Sequence, residues 1–211
     1  MTRCLIVTAH PLPRSLTARL SATVEAQARA HGWQVTRRDL YAQDFDPRLK
    51  PEERAGYYAT PPATPLATPP ATLVDEKDEL TQAQVLILVF PTWWFGFPAI
   101  LKGWFDRVWT PGTAFDHSPG FGPMLPRLHT LQAVLAVTTM GAPSWIDWLV
   151  LRRPLRRILR LAILRPCAPK ARLTWRALHA AEAVPEPRIA ALEATLATDL
   201  ARIKRRLTCP D

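Results

Sequence analysis

Hydrophobic positions along this chain follow two periods. Val85-Leu-Ile-Leu-Val-Phe90 is an unbroken apolar run with Val, Ile and Val at alternate positions, closed by Pro91. A short run of this kind predicts a strand buried on both faces. Leu5 to Thr8 and Leu131 to Val137 share that character, while Trp33 to Asp39 and Ala171 to Ala177 are weaker versions of it. Between these runs the period changes to that of a helix. Leu16, Leu20, Val24 and Ala28 share one face of a helix reaching about His31, with Ser15 or Thr17 as its N-cap and Gly32 as its stop. Pro98 suits a first helical turn, where its missing N–H costs nothing, and Ile100, Leu101, Trp104, Phe105 and Val108 recur behind it. Leu73 to Gln84 reads as a short acidic helix. A helix beginning at Ser144 runs through Trp148 and Leu151 toward Leu164. The last helix spans Pro187 to Leu207, with Ile189, Leu192, Leu196, Leu200 and Ile203 on one face. Residues 41–59 and 110–127 are expected to be irregular.

Five strands alternating with helices predict an α/β domain with a parallel sheet and right-handed crossovers. The flavodoxin-like order 2-1-3-4-5, with helices on both faces, sets strands one, three and four side by side. At 211 residues the chain is read as a single domain, 1–211. One stretch stands apart. From Thr60 to Thr72, Thr-Pro-Pro-Ala, Thr-Pro-Leu-Ala and Thr-Pro-Pro-Ala follow one another. Such proline spacing bars a helix and favours extended polyproline II, so this is expected to be an exposed inserted loop.

Composition narrows the class. Hydrophobic residues make up 48% of the chain, enough for a core without disulfides or metal. Cys4, Cys167 and Cys209 are odd in number and scattered, which argues against a disulfide framework and for a reducing, cytoplasmic setting. No His/Cys cluster has zinc-ligand spacing. No apolar run approaches the length of a membrane span, and Met1 to Ala9 is too short a run for a signal peptide. The formal charge of +9 comes from arginine. Charge alone raises nucleic acid, anionic membrane and anionic substrate together; no nucleic-acid partner is expected.

The candidate chemistry lies in the loops after strands one, three and four. His10-Pro-Leu-Pro-Arg-Ser15 leads into a helix start, where free amides, a positive dipole end and hydroxyls suit a phosphate. Taken alone, the same residues are a capped helix. The second loop, Pro91-Thr-Trp-Trp-Phe-Gly-Phe97, is aromatic. Trp104, Phe105 and Trp109 belong on the following helix as core, but consecutive rings in a surface loop call for a ligand. The third loop is Thr138-Thr-Met-Gly-Ala-Pro143. A phosphate at one end of a sheet rim and a flat ring system at the other describe a flavin nucleotide.

Three blocks resemble the NAD(P)H:quinone oxidoreductases of the DT-diaphorase type, within the flavodoxin-like fold. They are Ala9-His10 with Ser15, then Phe90-Pro91-x-x-Trp94-Phe95-Gly96-x-Pro98-Ala-Ile-Leu-Lys-Gly-Trp-Phe-Asp-Arg-Val108, then Thr138-Thr139-x-Gly141. The resemblance covers roughly residues 3–142 apart from the proline insert, and is weak beyond. It implies FAD, or FMN as in some bacterial members, with NAD(P)H as donor and a quinone-like acceptor. Carried over, His10, Ser15, Leu16 and Thr17 surround the flavin phosphates. Pro91, Trp93, Trp94, Phe95 and Gly96 line the isoalloxazine, and Thr138, Thr139 and Gly141 bond its pyrimidine edge. A homodimer is also implied, supported by an aromatic surface near Trp104 and Trp109. The family's relay tyrosine and histidine fall, without gaps, on Ile146 and Arg152, which cannot relay a proton; no catalytic acid is therefore carried over, and His117 and Trp145 are candidate replacements. Arg152 to Arg165 alternates arginines and aliphatics at helical spacing. It reads as a packed helix with a solvated cationic face, with peripheral membrane contact and an NADPH phosphate site as alternatives. The expected function is flavin-dependent transfer of two electrons from NAD(P)H to a quinone; the alternative is a flavin-binding regulatory or ancillary subunit, for example of a transport system.

Overall fold

A computed structural model of the protein describes residues 1–57, 71–120 and 122–208. The expected proline-rich loop up to residue 70, Phe121 and Cys209 lie outside the described residues. In chain order the elements are β1 (Arg3–Thr8), α1 (Leu16–Ala30), β2 (Gln34–Asp39), α2 (Pro51–Gly56), α3 (Ala71–Gln82), β3 (Val85–Pro91) and α4 (Ala99–Val108). A small hairpin of β4 (Phe115–Asp116) and β5 (Leu125–Pro126) precedes β6 (Ala133–Met140). Then come a π-helical turn at Ile146–Val150, α5 (Pro154–Arg157), a π-helical stretch at Ile158–Leu164, α6 (Arg165–Cys167), β7 (Arg172–His179) and α7 (Glu186–Thr208).

The main sheet has the order β2-β1-β3-β6-β7, and every pairing is parallel. Counting only its five strands, this is the predicted 2-1-3-4-5. Alternation along each strand splits the core into two layers. Ile6, Ile87 and Leu135 meet Leu20 and Val24 of α1 and Leu196, Leu200 and Ile203 of α7. Leu86, Leu88, Phe90, Val134 and Ala136 meet Leu80, Leu101, Trp104 and Leu159 on the other face.

Local chemistry fixes the helix that opens the first loop. Ser15 Oγ accepts the Ala18 N–H at 3.1 Å, capping α1, and Gly32 takes φ 76° after its end. Around α4 the packing is closer. A Cβ on Gly103 would lie 2.2 Å from the Pro47 carbonyl oxygen, so the helix and the 41–50 loop meet backbone to backbone. Beside it Arg107, buried, binds the Glu53 carboxylate through both Nε and Nη2 and donates to the Asp46 carbonyl at 2.6 Å.

Several expectations change. The 41–59 stretch contains α2, because Pro51 fits its first turn and Glu53 accepts the Lys50 N–H at 3.0 Å. The acidic helix starts two residues early, at Ala71. The 110–127 loop holds a hairpin. The long helix expected from Ser144 is broken at Arg152 and Arg153, both left-handed (φ 55° and 53°), just before Pro154, which restricts its predecessor and removes an N–H. The aromatic surface near Trp104 and Trp109 does not exist. Both rings are buried, and the Trp104 indole donates to the Glu76 carboxylate at 2.6 Å. No helix among the described residues is long and apolar enough to cross a membrane. Cys4 and Cys167 are free and buried, and burial pushes both thiols up to about 12.

Candidate functional site

Topology brings the three predicted loops to one rim. β1, β3 and β6 are adjacent and parallel, so their carboxyl ends emerge together. Side chains then join loop to loop. The His10 and Trp93 rings lie with centroids 6.3 Å apart. Thr17 Oγ1, in the first turn of α1 after the first loop, lies 3.4 Å from Thr139 Oγ1 near the end of β6. Thr92 links the second loop to the third twice: its N–H donates to the Thr139 carbonyl at 2.7 Å, and its hydroxyl meets Thr138 Oγ1 at 2.7 Å.

In the first loop, His10 Nδ1 accepts the Leu12 N–H at 3.0 Å, shaping the turn before the helix. Ser15 spends its hydroxyl on Ala18, which leaves the amides of Leu16 and Thr17 at the start of α1 without intrahelical partners. Those amides stand at the positive end of a 15-residue helix, where an anion could be held.

The second loop is a tight turn. The Gly96 N–H donates to the Trp93 carbonyl at 2.9 Å, closing the four residues Trp93 to Gly96. At its apex Trp94 and Phe95 both sit in the left-handed region, with φ 51° and 54°. Bulky side chains there cost about 1 kcal/mol or more each. Trp94 gains no packing in return, since its side chain is 100% exposed. The loop is nonetheless anchored. Pro91 ends β3 in register with Thr139, and Phe97 packs between Phe90 and Phe105 at 5.4 and 5.2 Å. The turn is strained, stands on a fixed base and presents indole rings outward.

The third loop begins later than expected. Thr138 and Thr139 are the sixth and seventh residues of β6, not part of a loop, and are paired with Phe90 and Pro91. Thr138 is fully buried with its hydroxyl engaged by Thr92, so it braces the rim; Thr139 is the one that meets the first loop. Gly141 follows the strand and is exposed. A Cβ there would lie 3.1 Å from Glu182 Oε1, the tip of an exposed side chain.

Residues that the sequence reading passed over complete the rim. Thr92 carried no signal of its own. His179 ends β7 opposite Met140, and its Nε2 lies 3.2 Å from Oδ2 of Asp147 in the Ile146–Val150 turn. Ending the fifth strand at Ala177 kept it off the rim. Of the proposed replacements for a proton relay, His117 has Nε2 at the Tyr57 carbonyl, 2.9 Å away, and Trp145 is an exposed indole, which can only donate. Arg152, exposed and left-handed, reaches no carboxylate; neither do Arg153, Arg156, Arg157, Arg160 and Arg165 among the described residues. Ile158 and Leu161 are exposed beside these arginines. Among the described residues no group of His, Cys, Asp and Glu could hold a metal ion.

Known proteins share this architecture. A family described as having a flavodoxin-like fold matches residues 2–199. NAD(P)H dehydrogenase [quinone] 1 of Cavia porcellus is 38% identical over 157 residues, which cover 68% of this chain and 55% of that protein. Ribosyldihydronicotinamide dehydrogenase [quinone] of Pongo abelii is 36% identical over 152 residues, 66% of this chain and 64% of that protein. The chain therefore spans less than two thirds of the length of either relative. Among solved structures, the protein Smu.1420 of Streptococcus mutans UA159 superposes with a TM-score of 0.74 at 27% identity, covering 93% of this chain and 97% of the other.

Proposed function

The chain belongs to the flavodoxin-like fold family, and from that premise we propose that it is a flavin-dependent NAD(P)H oxidoreductase passing two electrons to a quinone or similar flat acceptor. The observation that carries this reading is the strained, outward-facing Trp93–Gly96 turn joined by Thr92 to the Thr139 end of β6. It sits on the same rim as the amide-bearing start of α1.

The donors present fit a flavin nucleotide. The unsatisfied amides of Leu16 and Thr17, with His10 and Ser15 shaping the turn, suit its phosphates. The amides of Trp94 and Phe95 have no partner among the described residues, and with Gly96 and Pro91 they suit the polar edge of a ring. Trp93 and Trp94 offer flat apolar walls. Thr139 and the Gly141 backbone suit the pyrimidine end. Bound there, a flavin would accept hydride from a nicotinamide and pass electrons on, chemistry that resides in the cofactor. The chain's own residues orient it, exclude water from one face and aim N–H groups at atoms where negative charge develops. The flavin of this reading is FAD, with FMN as the alternative, and the proposed setting is cytoplasmic.

The relatives named above are quinone dehydrogenases by their names, which supports the acceptor class. A homodimer is part of the reading. Its support is no longer Trp104 and Trp109 but the exposed Trp145, Trp148, Leu149 and Val150, an apolar patch beside the site.

Purified protein is expected to carry one flavin per chain and to oxidise NAD(P)H with a quinone. A folded preparation that stays colourless and binds neither added FAD nor FMN overturns the reading. Flavin binding without turnover would favour the ancillary-subunit alternative.

A further inference from the structure

Two-electron reduction of a quinone needs a proton as well as a hydride: NAD(P)H, H⁺ and quinone give NAD(P)⁺ and hydroquinone. The positions that carry a relay in the resembling family hold Ile146 and Arg152 here, and neither supplies one. The rim nevertheless contains a histidine arranged for the task.

His179 is the last residue of β7, in register with Met140, so it stands next to the strand end that leads into Gly141. It shares strand parity with Trp175, which packs on the layer containing Phe90. Asp147 approaches it from the Ile146–Val150 turn. That carboxylate is 3% exposed, and His179 is the sole hydrogen-bond partner of its side chain among the described residues. A buried carboxylate with one partner holds that partner firmly, because losing it would leave the charge uncompensated. The Asp147 bond takes the Nε2 proton, which fixes the ring and the tautomer. Among the described residues Nδ1 has no hydrogen-bond partner, and it is not sealed from solvent. The side chain keeps 19% of its surface, enough for exchange with solvent. The third loop is tied over this pair: the Ala180 N–H, one residue beyond His179, donates to the Ala142 carbonyl at 3.1 Å. Other histidines do not match it. His10 Nδ1 is engaged by the Leu12 amide, and His117 by the Tyr57 carbonyl.

We propose that His179, oriented by Asp147, carries the proton of this reaction: the imidazolium gives a proton from Nδ1 toward the reduced acceptor and takes one back from solvent. This rests on the oxidoreductase reading above. Asp147 is a positioning residue that never touches the acceptor.

The test uses the flavin-loaded full chain and three readouts. His179→Gln keeps an amide donor for Asp147 but cannot transfer a proton, so it should retain flavin affinity and lose about 10²-fold in quinone turnover. His179→Ala should lose as much and regain activity with free imidazole, which a structural role would not allow. In wild type, the His179 imidazole ¹⁵N resonances should shift on adding flavin, while those of His129 stay put. This third readout stands even if a variant fails to fold. Undiminished turnover in His179→Gln, absent imidazole rescue, or an unmoved His179 resonance overturns the assignment while leaving the flavin site intact. A chain that binds no flavin at all overturns the reading of the site, and this assignment with it.

Discussion

The turn between Pro91 and Phe97 and the helix α4 behind it are built from the same residue types, tryptophan, phenylalanine and glycine, and put them to opposite uses. In the turn, Trp94 and Phe95 are left-handed and Trp94 faces water entirely. In the helix, Trp104 is fully buried with its indole on Glu76, and Gly103 exists to let Pro47 in. A continuous motif in sequence is thus an outward-facing turn for its first third and a packing block for the rest. Composition does not separate the two halves; backbone conformation and burial do.

The largest break in this contrast should come from Arg107→Met. It strips the buried guanidinium from Glu53 and from the Asp46 carbonyl, at an expected cost of about 3 kcal/mol. Urea unfolding measures it. The same variant should alter the acid limb of stability. Burial pushes the Glu53 carboxyl up, but the hydrogen bonds from Arg107 and the Lys50 N–H outweigh it and hold it below the usual glutamate value. A carboxyl lowered in the folded state stabilises fully above its unfolded value, about 4.3, and that contribution disappears as pH falls through the folded value. Wild type should therefore lose stability below about pH 4.3, and Arg107→Met should lose less over that window.

A smaller effect is expected at Gly103. The Pro47 backbone cannot move as a side-chain tip would, so Gly103→Ala should cost about 2 kcal/mol, read as a lowered urea midpoint with flavin stoichiometry retained.

Smallest of all for stability is Trp94→Gly. It removes no packing and relieves a strained φ, so the midpoint should hold or rise by about 1 kcal/mol. Flavin or substrate affinity should fall instead. A variant that loses stability and keeps affinity would reverse the assignment of the two halves.

Legibility in the sequence followed the same division. Strand order and the meeting of three loops could be read because unbroken apolar runs such as Val85 to Phe90 have one physical outcome, and because parallel order fixes which ends are neighbours. The first-loop cap narrows in the sequence to Ser15 or Thr17, and it is Ser15. What escaped were features set by contacts distant in sequence. Thr138 reads as a loop residue, but it lies in β6 and its hydroxyl meets that of Thr92, 46 positions away. Trp109, by contrast, is covered in part by near neighbours, Trp104 edge-on at 6.3 Å and Phe105 tilted at 5.4 Å, and is core as read; only the aromatic surface beside it was misjudged. His179 was missed by two residues of strand length, and Asp147 has no sequence signature at all. The break at Arg153 was signalled by Pro154, but the helical spacing on either side masked it.

The all-parallel sheet has a consequence for how this chain tolerates change. β1 lies between β2 and β3, and the link from β2 to β3 spans residues 40–84. No hairpin joins any two of the five strands, so each pairing must be reached by closing a long loop, and folding is governed by those closures rather than by local turns. Closure entropy grows only with the logarithm of length. Adding residues 58–70 to a link already this long changes it by about 0.3 kcal/mol. A threonine–proline repeat can therefore expand or contract in this position across generations with almost no thermodynamic trace, while the same insertion in the four-residue turn at Trp93 would erase the surface it forms.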